Sequence, residues 1–180
     1  VAITAADASN AALAYRATGL PAGLSINRDT GLVTGTPTRG GTYTVVVQAT
    51  DTSGRAGTTS FRWTVRFASV LSISAPVSRC KVTGGHRVCT YTAGRSQNVT
   101  ARSGQPARGT LHLVTASGGA IAGAPITIVD GKRTSTVRTG HSGIASFVLA
   151  KGPNRSIRAA YAGGSKFTPA GLTFHVRNTG

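Results

Sequence analysis

Apolar and polar positions alternate with a period of two along most of this chain. In 61–67, Phe61, Trp63, Val65 and Phe67 share one parity, and Arg62, Thr64 and Arg66 share the other. That pattern predicts a strand with one buried face, with Trp63 in the core. Upstream, Tyr43, Val45, Val47 and Ala49 form a second apolar face. Residues 51–57, Asp-Thr-Ser-Gly-Arg-Ala-Gly, have turn composition and join the two runs as the last hairpin of a β-sandwich.

The second half repeats the style. Strands are expected at 109–115, 125–129, 133–139, 144–150, 156–162 and 172–177. Ile126 pairs in parity with Ile128, Ile157 with Ala159 and Tyr161, and Leu172 with Phe174 and Val176. Asp130-Gly131 is a strong signal for a two-residue hairpin turn. His112 and His175 interrupt the apolar alternation and are expected to point outward. Six or seven short strands in about 85 residues predict a sandwich of the immunoglobulin type.

Both cysteines fall between the halves. If Gly84-Gly85 is a two-residue turn, Thr83 faces His86 and Cys80 faces Cys89. Pair types alternate from the turn, so the cysteines take a non-hydrogen-bonded position with Cα atoms about 4.5 Å apart. A disulfide accepts that spacing, and it would imply an oxidising, extracytoplasmic location. The expected organisation is a domain at 1–67, a linker at 68–93 carrying the disulfide-closed hairpin, and a second domain at 94–180.

Composition agrees with strands. The chain of 180 residues contains no glutamate and no methionine, which removes two good helix formers. The expected fold is all-β, two tandem Ig-like sandwiches without a helix. No apolar run approaches the roughly 20 residues of a membrane-spanning helix. Without a methionine at position 1, the chain is expected to be an internal piece or a processed product.

Lys and Arg total 20 against four Asp. Residues 1–68 hold six basic side chains and three acidic ones, while 69–180 hold fourteen and one. Such skew predicts an acidic partner for the second half, although solvated strand faces alone would also produce it.

The segment 17–37, running through Leu20-Pro21-Ala22-Gly23-Leu24 to Gly31, Gly35 and Pro37, resembles the bacterial putative-Ig domain, which is cadherin-like. The resemblance covers 1–67. It implies a first domain beginning about one strand late, with an open edge there. Residues 94–177, through 118–131, 137–164 and 165–170, resemble more loosely the Ig-like or prealbumin-like repeats of actinobacterial surface and secreted proteins. In those repeats an Asp commonly follows the Thr before the strand that here begins at Ile144; this chain has Thr139-Gly140. Both resemblances imply non-catalytic spacers, adhesion modules or appendages of larger exported proteins.

Catalysis by paired carboxylates is poorly supplied. Asp29, Asp51 and Asp130 all sit in turn contexts, where Asp serves the backbone. Gly140-His141-Ser142-Gly143 lacks the final glycine of a nucleophile elbow, because Ile144 stands there. Zinc at Cys80, His86 and Cys89 would need shorter spacing and a fourth ligand. Calcium, which the cadherin-like resemblance suggests, wants six to eight oxygens. Asp7, Asp29 and Asp51 are its candidates, and no cofactor is otherwise expected.

The remaining chemistry is cationic. Arg102, Arg108, Lys132, Arg133, Arg138, Arg155, Arg158 and Arg177 are the candidate polyanion-binding residues, with Lys151 and Lys166 nearby in sequence. Arg133 and Arg158 alternate with apolar neighbours and are expected to share exposed sheet faces. Sequence-specific nucleic-acid recognition is not expected, because the aromatics of this half sit mostly at core parity and leave few rings for base stacking. The expected function is a non-catalytic spacer or adhesion module at the cell surface or outside the cell. Its partners would be neighbouring domains and an envelope or extracellular polymer. The alternatives are a dedicated binder of teichoic acid, acidic polysaccharide or DNA backbone, and an accessory region beside a secreted hydrolase.

Overall fold

The computed structural model describes residues 1–8, 11–83, 86–94, 97–102 and 104–179, and for 75–83, 86–94, 102 and 179 the backbone alone. Every regular element among the described residues is a strand, as the alternation predicts. The chain divides into two compact units, Val1–Phe67 and Ala68–Gly180.

In the first unit, strands β1 (Ala14–Thr18), β4 (Gly41–Thr50) and β5 (Ala56–Val65) form one sheet in the order β1-β4-β5. Strands β2 (Leu24–Ile26) and β3 (Val33–Gly35) pair as a hairpin. Central β4 supplies the buried Val45 and Val47, and β3 supplies Val33. The core is small and relies on a central strand with β-branched residues on its inner face.

Trp63 differs from its core expectation. It lies opposite Tyr43 and is only half-buried, its ring 6.1 Å from that of Phe61. The reason is position. Strand β5 is an edge of its sheet, so half of the aromatic stripe lacks a neighbour on its own face.

The second unit is a two-sheet sandwich. Its five-stranded sheet has the order β11-β10-β13-β14-β8, built from β8 (Asn98–Arg102), β10 (Pro125–Asp130), β11 (Arg133–Arg138), β13 (Arg155–Tyr161) and β14 (Ala170–Thr179). The four-stranded sheet has the order β12-β9-β6-β7, from β6 (Ser69–Thr83), β7 (His86–Gly94), β9 (Ala107–Thr115) and β12 (Ile144–Leu149). One buried cluster draws on both sheets, with Leu111, Leu113, Phe147, Ile126, Ile128, Ile157, Phe174 and Val99 among its members. The rings of Phe147 and Phe174, one from each sheet, lie 5.4 Å apart. Gly109 opposite Phe147 makes room for that ring, since an added Cβ would come within 2.7 Å of it.

Two expectations change here, and one pairing is new. Residues 68–93 do not form a separate linker, because Ser69–Ser74 pair with β9 and bury Leu71 and Ile73 in the second core. The alternation in Val70-Leu71-Ser72-Ile73 is that of a core strand, with Val70 exposed. Strand β8 pairs with β14 in parallel, a long-range contact that hairpin signals cannot announce. Finally, Asp130 closes its hairpin opposite Arg133, so the turn residues are Gly131 and Lys132. Gly131 has a φ of 60°, as the first position of a type I′ turn requires.

The Gly84-Gly85 turn lies outside the described residues. The flanking register nevertheless runs from Thr83 opposite His86 to Cys80 opposite Cys89 and on to Ala75 opposite Gly94.

Candidate polyanion-binding surface

Strand register decides which basic residues share a face. On β13, Ile157, Ala159 and Tyr161 are buried, so Ser156, Arg158 and Ala160 look outward. On β14, Phe174 and Val176 are buried, and Thr173, His175 and Arg177 look outward. Arg158 stands between Val129 and Thr173, and His175 stands between Ser156 and Asn98. Arg138, opposite Pro125, belongs to the same outer face at the β11 edge. Arg102 lies opposite Thr179 at the end of β8, and its side chain lies outside the described residues.

The other candidates separate from this group. Arg133 lies opposite Asp130, on the parity of Ile126 and Ile128, whereas Arg158 lies opposite Val129. The two therefore fall on opposite faces, because consecutive strand residues point to opposite sides. Arg108 is exposed on β9 of the other sheet, opposite Val148. Lys132 occupies the β10–β11 turn.

Arg155 has a different task. Its Nε and Nη2 donate to the two carboxylate oxygens of Asp130 at 2.6 and 2.8 Å. Nη2 also donates to the carbonyl of Ala150 at 2.7 Å and Nη1 to that of Pro153 at 3.1 Å. The hydrogen bonds that Arg155 donates to Asp130 raise its pKa above the ordinary value, against a smaller opposing effect of burial. This bidentate fork ties the β10–β11 hairpin to the loop before β13. Sequence reasoning missed it, although the single carboxylate in a half with fourteen basic residues was a usable signal. Arg155→Ala should destabilise the protein by about 2 kcal/mol, with Lys recovering only a fraction of that, since an ammonium lacks the fork. Denaturant unfolding of the three chains checks this.

Two of the three calcium candidates, Asp7 and Asp51, accept from backbone amides. Asp51 is buried, and its Oδ1 accepts from the amides of Ser53 and Arg55 and from the Ser53 hydroxyl, each at 2.8 Å. It organises the β4–β5 loop. Asp7 accepts from the Ala11 amide at 3.2 Å, and Asp29 sits exposed in a turn capped by Asn27. Among the described residues, no three His, Cys, Asp or Glu side chains gather around a point that could hold a metal. Asp51→Ala should cost about 1–3 kcal/mol, because two amides lose their acceptor. Trp63 fluorescence, which reports on the first unit, would follow that shift.

His175 and His112 lie outside the buried cluster. His175 is exposed, with Nδ1 2.9 Å from the Ser156 hydroxyl, and His112 is half-buried, 3.4 Å from the Thr110 hydroxyl.

The Leu-Pro-x-Gly-Leu run is now placed. Pro21 is buried, and Gly23 and Gly35 both take positive φ around the β2–β3 hairpin. Comparison with known proteins agrees with that geometry. Residues 1–66 match the family described as Putative Ig domain. The match ends one residue short of the boundary between the units. The Serine-rich adhesin for platelets of Staphylococcus aureus is 40% identical over 63 residues, which is 35% of this chain and 3% of that protein. The adhesins of the same name from strains MRSA252 and MSSA476 are 40% identical over the same length, covering 5% and 3% of those proteins. The Putative Ig domain unit is thus homologous to a small segment of a much longer adhesin, and the arginine-bearing sandwich follows it.

No helix among the described residues is long and apolar enough to cross a membrane.

Proposed function

We propose that this chain is a non-catalytic module of an exported protein at the cell surface or outside the cell. It spaces and presents neighbouring domains, and it adheres to anionic polymer through its second unit. The carrying observation is the combination of an adhesin-homologous Ig unit with a sandwich whose one described carboxylate, Asp130, is neutralised by Arg155. The remaining arginines then meet no competing acid within that unit. Stiffness comes from paired strands, and adhesion through exposed arginines should weaken as salt screens them. The relatives' name gives platelets as a target, and a host-cell surface rich in anionic polymer would suit the same chemistry.

The register opposing Cys80 and Cys89 supports a disulfide in the β6–β7 ribbon, consistent with export. Intact mass with and without reductant should differ by about 2 Da, because a disulfide lacks two hydrogens. Free thiols in protein secreted under oxidising conditions would contradict the exported reading.

The functional test is co-sedimentation of the chain with bacterial wall, wall stripped of its anionic polymers, chitin, cellulose and DNA, at low and high salt. Retention on polyanions that salt abolishes is expected. Retention on chitin or cellulose that survives salt would overturn the electrostatic reading in favour of a shaped carbohydrate site.

A further inference from the structure

The basic residues on the outer face of the five-stranded sheet form a line. Taking β13 as the ruler, Arg138 lies on β11 beyond Ala160, Arg158 lies on β13 itself, and Arg177 lies on β14 beyond Ser156. His175 stands one outward step before Arg177. With about 3.4 Å per residue along a strand and about 4.8 Å between strands, Arg158 and Arg177 are roughly 14 Å apart at the backbone. Arg138 and Arg158 are separated by a similar interval of about 17 Å. The track runs diagonally across the sheet.

Two of the three guanidiniums are steadied by neutral partners. Arg138 Nη1 donates to the Gly123 carbonyl at 3.0 Å, and Arg177 Nε donates to the Asn98 side-chain oxygen at 3.2 Å. Neither bond cancels charge, and each leaves the other nitrogens of its fork for an anion.

The surroundings suit a flexible anionic chain. The outward neighbours are Thr134, Thr136, Ser156, Thr173 and Thr100, which offer hydroxyls, together with small residues such as Ala160 and Gly171. The buried rings of Tyr161 and Phe174 point into the core, so this face offers no aromatic platform for sugars or bases. Asp130 sits on the opposite parity and is held by Arg155. No Asp or Glu stands on the face.

We infer that the diagonal Arg138–Arg158–Arg177 track on the outer face of the five-stranded sheet binds a linear phosphodiester polymer. This rests on the adhesion reading above and narrows it to one face and one ligand class. Guanidinium groups spread along a line meet a chain with a repeating charge better than they meet a compact anion. Their planar forks match phosphate oxygens, with serine and threonine hydroxyls as supplementary donors. A polymer whose phosphates recur more closely than the arginines can engage in many registers, so binding is tolerant of position and insensitive to sequence.

The test measures binding of the full chain to synthetic poly(glycerol phosphate), with hyaluronate as the carboxylate polymer. Three chains are compared: the native one, Arg158→Ser/Arg177→Ser, and the charge-matched control Arg108→Ser/Arg133→Ser, whose side chains lie off the face. Circular dichroism checks that each is folded, and Arg138→Ser/Arg158→Ser replaces the first pair if it is not. The face variant should bind poly(glycerol phosphate) at least about tenfold more weakly at low salt, and the control within about twofold of native. Equal losses in both variants would overturn the inference while leaving electrostatic adhesion standing. So would hyaluronate binding as tight as poly(glycerol phosphate). A native chain that binds no polyanion would overturn the inference and the adhesion reading together.

Discussion

Phe174→Ala should destabilise the protein by about 3–5 kcal/mol, the range for truncating a large buried aromatic. Phe174 is fully buried on β14, between strands β13 and β8, and its ring stacks at a tilt against Phe147 of the opposite sheet. Removing it opens a cavity at the centre of the cluster that joins the two sheets. The neighbouring Ile157 and Val176 are held on their own strands and can close it only incompletely. Denaturant unfolding followed by far-ultraviolet circular dichroism should show a lower midpoint for the second unit. Trp63 fluorescence, from the first unit, serves as an internal reference. A loss below about 1 kcal/mol would contradict the sandwich, because such small effects belong to surface positions.

The second large effect is expected at Gly143. Its φ is 74°, and a Cβ built there would lie 2.5 Å from the carbonyl oxygen of Leu113. That carbonyl also accepts from the Ile121 amide at 3.0 Å, while the Leu113 amide donates to the Gly143 carbonyl at 2.8 Å. Backbone thus meets backbone, and no side chain can swing aside. Gly143→Ala should cost about 3 kcal/mol, combining the left-handed conformation with the need to push neighbouring backbone segments apart. Gly54→Ala is the comparison: it too has positive φ but meets open space, so it should lose only about 1 kcal/mol. The same unfolding measurements separate the two. Equal losses would show that conformation alone, without close approach, governs both sites.

How legible this was in the sequence depended on the range of the contact. Period-two alternation located β9, β10 and β12 to β14 because each buries one face, and the residues at Ile126, Ile128, Ile157, Ala159, Phe174 and Val176 are buried as their parity requires. Residues 69–74 place only Leu71 and Ile73 on the buried face, an alternation too short to mark a core strand by itself. Parallel pairing of β8 with β14 carries no local signal at all. Among the candidate site residues, charge and count were visible, but face was not. Arg133 and Arg158 look equivalent along the chain, yet pairing sets Arg133 opposite Asp130 and Arg158 opposite Val129, on opposite faces of the sheet. Arg155 looked available until Asp130 was placed beside it. Register, which hydrogen bonding sets across strands, is what sorts arginines into a track, a clamp and an opposite face.

Salt dependence tests the central claim most directly. The binding constant of the native chain for poly(glycerol phosphate) is measured from low to physiological salt, and its logarithm is plotted against that of the salt concentration. Counterion release predicts a straight line with negative slope, about 0.7 per phosphate contact for a single-stranded polymer. A slope of at least about 2 is expected for the native chain, decreasing by about 1.4 in Arg158→Ser/Arg177→Ser. A native affinity that stays constant across that range would contradict it, because arginines exposed on an open sheet face have no means of holding an anion against screening.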